Sequence, residues 1–248
     1  MAAYDDLDAF QALTRTSGLA LSPDGSRLIT TVSALDAKGV RFVSSLWEVD
    51  PSGRAPARRL TRSSKGEAGP VFAADGTLLF TSARPDPDAD DEDGPAALWA
   101  LWALPTVGEA YVAGSRPGGV SGVRVAGSTV LVLSDTLPAA TDDDEQRRTA
   151  RKDAKVNAVL HAGYPVRYWD HDLGAGQNRL LSGDLTREPV VWRDLTPAPG
   201  RALREAQTDL SSDGRTAVTT WAVAEQKGSR RTTLVAVDTA TGERRTLL

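Results

Sequence analysis

The sequence predicts an all-β fold: a β-propeller of about four consecutive four-stranded antiparallel blades, an incomplete ring, with a helical insertion in the third blade. Three observations carry this expectation. A tight turn between two short apolar runs recurs at Ser22-Pro23-Asp24-Gly25, Ala73-Ala74-Asp75-Gly76, Val125-Ala126-Gly127-Ser128 and Ser211-Ser212-Asp213-Gly214. Gly25, Gly76 and Gly127 are evenly spaced, 51 residues apart, and a fixed period of this size marks a repeat architecture. Each turn is followed by a further apolar, Leu-containing strand, and short strands separated by turn signals are how a propeller blade reads in sequence.

In the first unit, Gly18 to Leu21 and Arg27 to Val32 form a hairpin. Pro23 pre-sets a negative φ there, and Asp-Gly supplies the tight-turn chemistry. A polar loop at Lys38-Gly39 leads to a third strand, Leu46 to Asp50, and the turn Pro51-Ser52-Gly53 leads to a fourth, Arg58 to Thr61. The second unit repeats the order with Val71-Phe72, Leu78 to Thr81 and Leu98 to Leu104. Within that last segment, Leu98-Trp99-Ala100 is duplicated as Leu101-Trp102-Ala103. An odd-length insertion would flip the inward face of a strand, so part of the segment is expected as a bulge or loop.

The third unit is swollen. From turn glycine to Leu-rich strand the chain takes 21 residues in the first unit, 20 in the fourth and 53 in the third. The excess sits within Thr136 to Trp169. Thr141 is expected to cap a helix whose first turn holds Asp142, Asp143, Asp144 and Glu145, followed by Arg147, Arg148, Arg151, Lys152 and Lys155. That charge order suits the helix dipole, and Asp143–Arg147 and Asp144–Arg148 are i,i+4 pairs. Ala150, Ala154 and Ala158 would form a narrow face against a blade. The fourth unit is regular: Thr216 to Val223, Leu234 to Asp238, and Arg244 to Leu248. The blades so read occupy about residues 14–61, 68–114, 119–196 (with the insertion at 136–169) and 203–248.

Composition narrows the function classes. Lysine and arginine total 29 against 33 aspartates and glutamates, a net charge of −4. No global basic field exists to attract nucleic acid or an anionic membrane. With no cysteine, disulfides, Cys-based zinc sites and cysteine nucleophiles are excluded. The N-terminus carries Asp5, Asp6 and Asp8 and has neither the basic flank nor the apolar core of a secretory signal. No stretch reaches the length of a membrane span, and a cytoplasmic location is expected.

The candidate chemistry is sparse, and no catalytic, cofactor-binding or metal-ligating residue is assigned. Gly119-Val120-Ser121-Gly122 is one residue short of a nucleophile elbow, and Ser121 reads as a loop serine. The two histidines, His161 and His171, are ten residues apart, with Asp170 and Asp172 flanking the second. That pattern lacks the helical spacing of a metal site. The acidic loop Asp86 to Asp93 resembles a calcium loop in composition alone and is expected to be disordered. Gly174-Ala175-Gly176-Gln177-Asn178-Arg179 ends in Arg where a dinucleotide loop needs Gly, and it reads as a turn. Trp47, Trp102 and Trp221 fall on expected strands as packing between blades, whereas Trp169 and Trp192 lie outside the repeat positions.

Ser-Pro-Asp-Gly followed by Arg27-Leu28-Ile29 and then Leu46-Trp47-Glu48-Val49-Asp50 resembles the blades of TolB-like and WD-repeat-like propellers. More distinctive is Lys155-Val156-Asn157-Ala158 followed by Gly163-Tyr164-Pro165-Val166-Arg167-Tyr168-Trp169-Asp170-His171-Asp172-Leu173. With the charged helix before it and Pro197-Ala198-Pro199-Gly200 after Asp194-Leu195-Thr196, this stretch resembles the third propeller blade of prolyl-oligopeptidase-family serine peptidases, in the acylaminoacyl-peptidase or dipeptidyl-aminopeptidase-like branch.

The resemblance implies a propeller of about seven blades joined to a C-terminal α/β-hydrolase domain that carries Ser, His and Asp. It implies short peptide substrates whose access the propeller limits. No position here matches the family's catalytic motifs, so the chain is expected to be a non-catalytic propeller part without cofactor, its partner the hydrolase domain of the intact protein. The alternative is a stand-alone binding or assembly propeller, closed at four blades or completed by a second copy. A partial ring would leave sheet edges and apolar faces open to self-association. A propeller-sited glycosidase or lyase would need convergent carboxylates or His on the inner strands, and Leu19 to Leu21, Val71-Phe72 and Val123 to Val125 are mainly apolar.

Overall fold

A computed structural model describes residues 6–85, 98–161 and 163–248. Among the described residues, sixteen strands form four four-stranded antiparallel sheets, each taking its strands in sequence order. This is the blade pattern of a β-propeller. The chain divides into two compact units, Met1–Ala113 and Gly114–Leu248.

The first unit opens with a short helix, α1 (Leu7–Gln11), whose N-terminus is capped by the Asp6 carboxylate accepting from the Asp8 and Ala9 amides. Its first sheet is β1 (Arg15–Leu21), β2 (Leu28–Leu35), β3 (Phe42–Val49) and β4 (Arg58–Arg59). Its second is β5 (Glu67–Phe72), β6 (Leu78–Ser82), β7 (Ala100–Leu104) and β8 (Tyr111–Gly114). Of the duplicated segment, only Ala100 to Leu104 is strand, and Leu98-Trp99 lies outside it. The acidic residues from Asp86 to Asp93 fall outside the described residues. The second unit holds β9 (Ser121–Ala126), β10 (Thr129–Thr136), β11 (Gln177–Asp184) and β12 (Arg193–Asp194). Its other sheet is β13 (Thr208–Leu210), β14 (Thr216–Ala224), β15 (Arg230–Asp238) and β16 (Arg244–Thr246).

The same local devices recur from blade to blade. At the first turn, Ser22 Oγ donates to Asp24 (2.6 Å) and accepts from the Arg27 amide (2.9 Å). Ser211 Oγ does the same with Asp213 (2.6 Å) and the Thr216 amide (2.9 Å). Gly25 and Gly214 adopt φ of +74° and +73°, a region closed to most side chains, which is why the turn ends in Gly. A second glycine series was not read from the sequence. The first strand of three blades slips register at Gly18, Gly69 or Gly122, each with φ near +60°, as in a glycine bulge. The displaced carbonyls are used: Thr30 Oγ1 donates to Gly18 O (2.9 Å) and Thr81 Oγ1 to Ala68 O (3.1 Å).

Three of the fourth strands, β4, β12 and β16, are short but continue through one extra bond each. The amides of Leu60, Leu195 and Leu247 donate to the carbonyls of Leu46, Leu180 and Leu234. Thr61 and Thr196 then accept, through Oγ1, from the amides of Leu46 and Leu180.

Each unit has its own core. In the first, Ile29, Leu46, Leu78, Phe80 and Trp102 pack together. Trp102 is 1% exposed, and side chains of this size contribute roughly 1.5–3 kcal/mol each on burial. In the second, Leu131, Leu180, Leu195, Leu203 and Val237 are fully or almost fully buried. Trp221 packs on that cluster with the Arg244 guanidinium over its ring. Among the described residues, no helix is long and apolar enough to cross a membrane.

Two carboxyl groups make stability depend on pH in opposite senses. Hydrogen bonds from the Ser22 hydroxyl and from the Ser26 amide and hydroxyl lower Asp24 from the ordinary 3.8 to about 2. Its contribution is therefore present above the unfolded value and lost as pH falls toward 2. Melting curves should show wild type and Asp24→Asn converging as pH drops through that window. Glu67 is fully buried, with Oε1 accepting from the Ser63 amide (2.8 Å) and Oε2 unpartnered. Burial pushes its carboxyl up, against the opposing Ser63 bond. Its contribution is full below the unfolded value and lost as pH rises through the folded one, so wild type should lose melting temperature relative to Glu67→Gln as pH rises above the ordinary carboxylate range.

Candidate functional site

The long connection between β10 and β11, residues 137–176, carries the residues that stand out from the repeat. Its helix, α2, runs from Asp144 to Asp153 with Asp143 at the N-cap position, two residues later than the cap read at Thr141. Thr141 does not cap it; the Thr141 amide donates instead to the Asp143 carboxylate (3.1 Å). The helix ends at Ala154, and Lys155 turns left-handed with φ +52°. Ala150, Ala154 and Ala158 therefore do not share a helical face. The i,i+4 pairs are formed as expected, Arg147–Asp143 at 2.7 Å and Arg148–Asp144 at 2.9 Å.

Almost nothing apolar in α2 is buried, and charge holds the helix down. Asp144 is 2% exposed and accepts from the Leu137 amide (2.8 Å) as well as from Arg148. Arg148 also reaches the Asp135 carboxylate (2.8 Å) and carbonyl (2.9 Å) at the end of β10. Burial opposes the Arg148 charge, but the bonds to Asp135 and Asp144 outweigh it and hold its pKa above the ordinary value. Two glycines make room for Asp135. A Cβ on Gly118 would lie 1.7 Å from the Asp135 carbonyl oxygen, and one on Gly176 would lie 1.8 Å from its carboxylate.

Two further arginines tie the connection to its surroundings. Arg179 on β11 is 3% exposed and donates to Leu137 O (3.1 Å), Ala140 O (2.8 Å) and Asp194 (2.8 Å). Arg201, in the link between β12 and β13, donates to Gly176 O (3.2 Å) and Gly174 O (3.3 Å) and faces His161 Nδ1 at 3.0 Å. Beside α2, lined also by Leu160, His161, Gly163 and residues of these turns, lies a cavity of about 630 Å³. Its lining includes the apolar Leu137, Pro138 and Leu160 together with Arg147, Arg151, His161 and Arg201.

The distinctive Tyr-Pro-Val-Arg-Tyr-Trp stretch folds as a small antiparallel loop. Arg167 and Asp172 bridge, and the Tyr168 amide donates to His171 O (2.9 Å). Trp169 sits at its tip, 94% exposed. His171 Nδ1 lies 2.7 Å from Asp170, and its ring meets Tyr168 edge-on. The histidines thus have separate partners, His161 in the cavity and His171 on the loop. Among the described residues, no group of His and acidic side chains could hold a metal ion. Ser121 is the first residue of β9 rather than a loop residue, and its hydroxyl is 3.5 Å from Leu133 O. Of the Gly174 to Arg179 stretch read as a turn, Gln177, Asn178 and Arg179 instead belong to β11, while Gly174 and Gly176 present carbonyls to Arg201. Trp192 is half-buried, with Nε1 donating to Ser115 O (3.1 Å) and its ring against Gly183. Asp135, Arg179 and Arg201 were not read as functional from the sequence. The one available signal was a charged residue, Arg179, directly before the apolar pair Leu180-Leu181.

With that geometry in place, the chain can be set beside known proteins. Over 143 residues it is 29% identical to dipeptidyl-peptidase 5 of Trichophyton schoenleinii, and equally to that of Arthroderma benhamiae. The match covers 51% of this chain and 19% of those relatives, so the chain spans only a fraction of their length. In fold it is similar to Pyrococcus horikoshii acylaminoacyl peptidase, with TM-score 0.62, 9% identity, and coverage of 98% of this chain and 33% of that one. It is also similar to the β-propeller domain of the trilobed protease from Pyrococcus furiosus, with TM-score 0.53, 10% identity, and coverage of 95% and 57%. No protein-family model matches.

Fold and sequence likeness together define a peptidase-associated propeller. In sequence over half its length, and in fold, the chain is similar to propeller portions of prolyl-oligopeptidase-type peptidases.

The anchoring of α2 gives a stability prediction. Asp144→Ala leaves a buried amide and part of a guanidinium without their acceptor, which should cost about 2–4 kcal/mol. Denaturant melts should show that loss, whereas Asp143→Ala, at a solvent-screened exposed pair, should cost far less.

Proposed function

We propose that this chain is the substrate-filtering, non-catalytic part of a serine peptidase acting on short peptides. Bond cleavage would take place in a hydrolase domain of the same protein, where a serine attacks the scissile carbonyl, a histidine accepts its proton, and an aspartate orients the histidine. The observation that carries this reading is the sequence likeness to dipeptidyl-peptidase 5. The fold shared with an acylaminoacyl peptidase supports it. What the chain itself supplies is surface: walls that limit access, and a cavity beside α2 large enough for a small ligand. That cavity also favours a second reading, in which the chain acts by itself as a binding module.

Activity-based labelling separates the two. The chain and the whole reading frame that encodes it would each be treated with a fluorophosphonate probe and then assayed on fluorogenic dipeptide and longer peptide substrates. The expected result is labelling and short-peptide cleavage by the whole product, and neither by the chain alone. Labelling of the chain alone would refute its catalytic silence. A whole product that neither labels nor cleaves would leave the binding-module reading standing in place of the peptidase one.

A further inference from the structure

Arginines in folded proteins ordinarily find a carboxylate, and two of those lining the cavity beside α2 do not. Arg147 is neutralised by Asp143 at 2.7 Å. Arg151 spends one amino group on Ala158 O (3.0 Å), and among the described residues it has no acidic partner within ion-pair distance. Arg201 is held by the carbonyls of Gly174 and Gly176 and by His161, and it too has no acidic partner among the described residues. No acidic side chain is among the cavity-lining residues described. Carbonyl acceptors fix a guanidinium in place without cancelling its charge, so the wall keeps a positive potential in a partly water-excluded space.

The lining also includes apolar side chains. Leu137 is 8% exposed, while Leu160 is 95% exposed and stands at the rim. A cavity of about 630 Å³ lies within the range that takes a small organic ligand. A planar guanidinium matches a planar carboxylate, with charge-assisted bonds stronger than neutral ones.

We propose that this cavity binds the free carboxylate of a short peptide, with Arg201 and Arg151 gripping the carboxylate and Leu137 and Leu160 receiving an apolar side chain. The choice of a peptide rests on the reading given above under peptide hydrolysis; the carboxylate grip rests on the two unneutralised guanidinium groups alone. The site would therefore discriminate peptides by their C-terminal end, away from any chemistry.

The test measures binding on the 248-residue chain without any hydrolysis, so its outcome is separate from that of the labelling experiment. N-acetyl-Ala-Leu with a free carboxylate and the same peptide as its C-terminal amide would be titrated by calorimetry or ligand-observed NMR, with inorganic phosphate as competitor. The acid should bind about tenfold or more tighter than the amide, a difference of the size a charge-assisted pair supplies, and added salt should weaken it. Arg201→Gln and Arg151→Gln should each lose about tenfold, and Arg151→Lys should recover part of the loss. Arg201 also clips a turn, so the exposed-helix variant Arg151→Gln, checked for an unchanged melt, keeps the test decisive. Equal binding of acid and amide, full binding by a well-folded Arg151→Gln, or phosphate binding more tightly than the peptide would overturn the proposal.

Discussion

The chain of charged bonds from Asp135, at the end of the second strand of the third blade, through Arg148 to the buried Asp144 is the constraint on which the insertion depends. Asp135 receives Arg148 through both its side chain and its main-chain carbonyl. Arg148 in turn is tied to Asp144, and Asp144 to the amide of Leu137, the first residue beyond the strand. The chain so held has little else to hold it. The helix reads Asp-Glu-Gln-Arg-Arg-Thr-Ala-Arg-Lys-Asp, with no apolar stripe to bury, and a helix of that length is marginal without tertiary contacts. The links are not equal in strength. Asp135 and Arg148 are about one-third exposed, so solvent screens their attraction. Asp144 is almost fully buried with two donors aimed at it, and that link dominates.

The blades were legible because their signals are local. A turn that needs positive φ displays Gly, and a carboxylate that collects the amides of the next residues displays Asp at the strand end. Asp50, Asp184 and Asp238 each do so, and hydrogen bonds with the residues that follow lower all three carboxyl groups. The bulge glycines were equally local, but they sit inside short apolar runs, where a Gly reads as a break in pattern. The insertion was legible as an interruption of the period, and its two i,i+4 pairs were legible from spacing. The helix start was misread because Thr141 looks like a cap in sequence, whereas the buried Asp144 fixes where the first turn begins.

The site itself was not legible, for a different reason. Arg179 bonds to carbonyls 39 and 42 residues before it and to an aspartate 15 residues after it. Arg201 meets His161 across 40 residues. Neither partnership leaves a trace in the sequence near either residue. Gly118 and Gly176 look like ordinary turn glycines, and only the approach of Asp135 shows why a side chain could not stand there. Periodic sequence reveals a repeat, but what an insertion builds on it is decided by long-range pairs.

Those pairs also explain why the cavity is cationic. A connection of this length exposes many carbonyl oxygens that no strand satisfies, and buried ones must find donors. Arginine is suited to that work because one side chain carries five donors in a rigid fork. Arg148, Arg179 and Arg201 each close one or more such carbonyls. Where an aspartate is also in reach, as for Arg148 and Arg179, the charge is cancelled and the result is structural only. Where it is not, as for Arg201, the same act of satisfying backbone leaves a fixed positive charge facing open space. The packing requirement and the anion preference are then one feature of the molecule. A substitution that neutralises Arg201 would disturb both, while one at Arg151, whose single bond to the Ala158 carbonyl is solvent-exposed, would disturb the backbone far less.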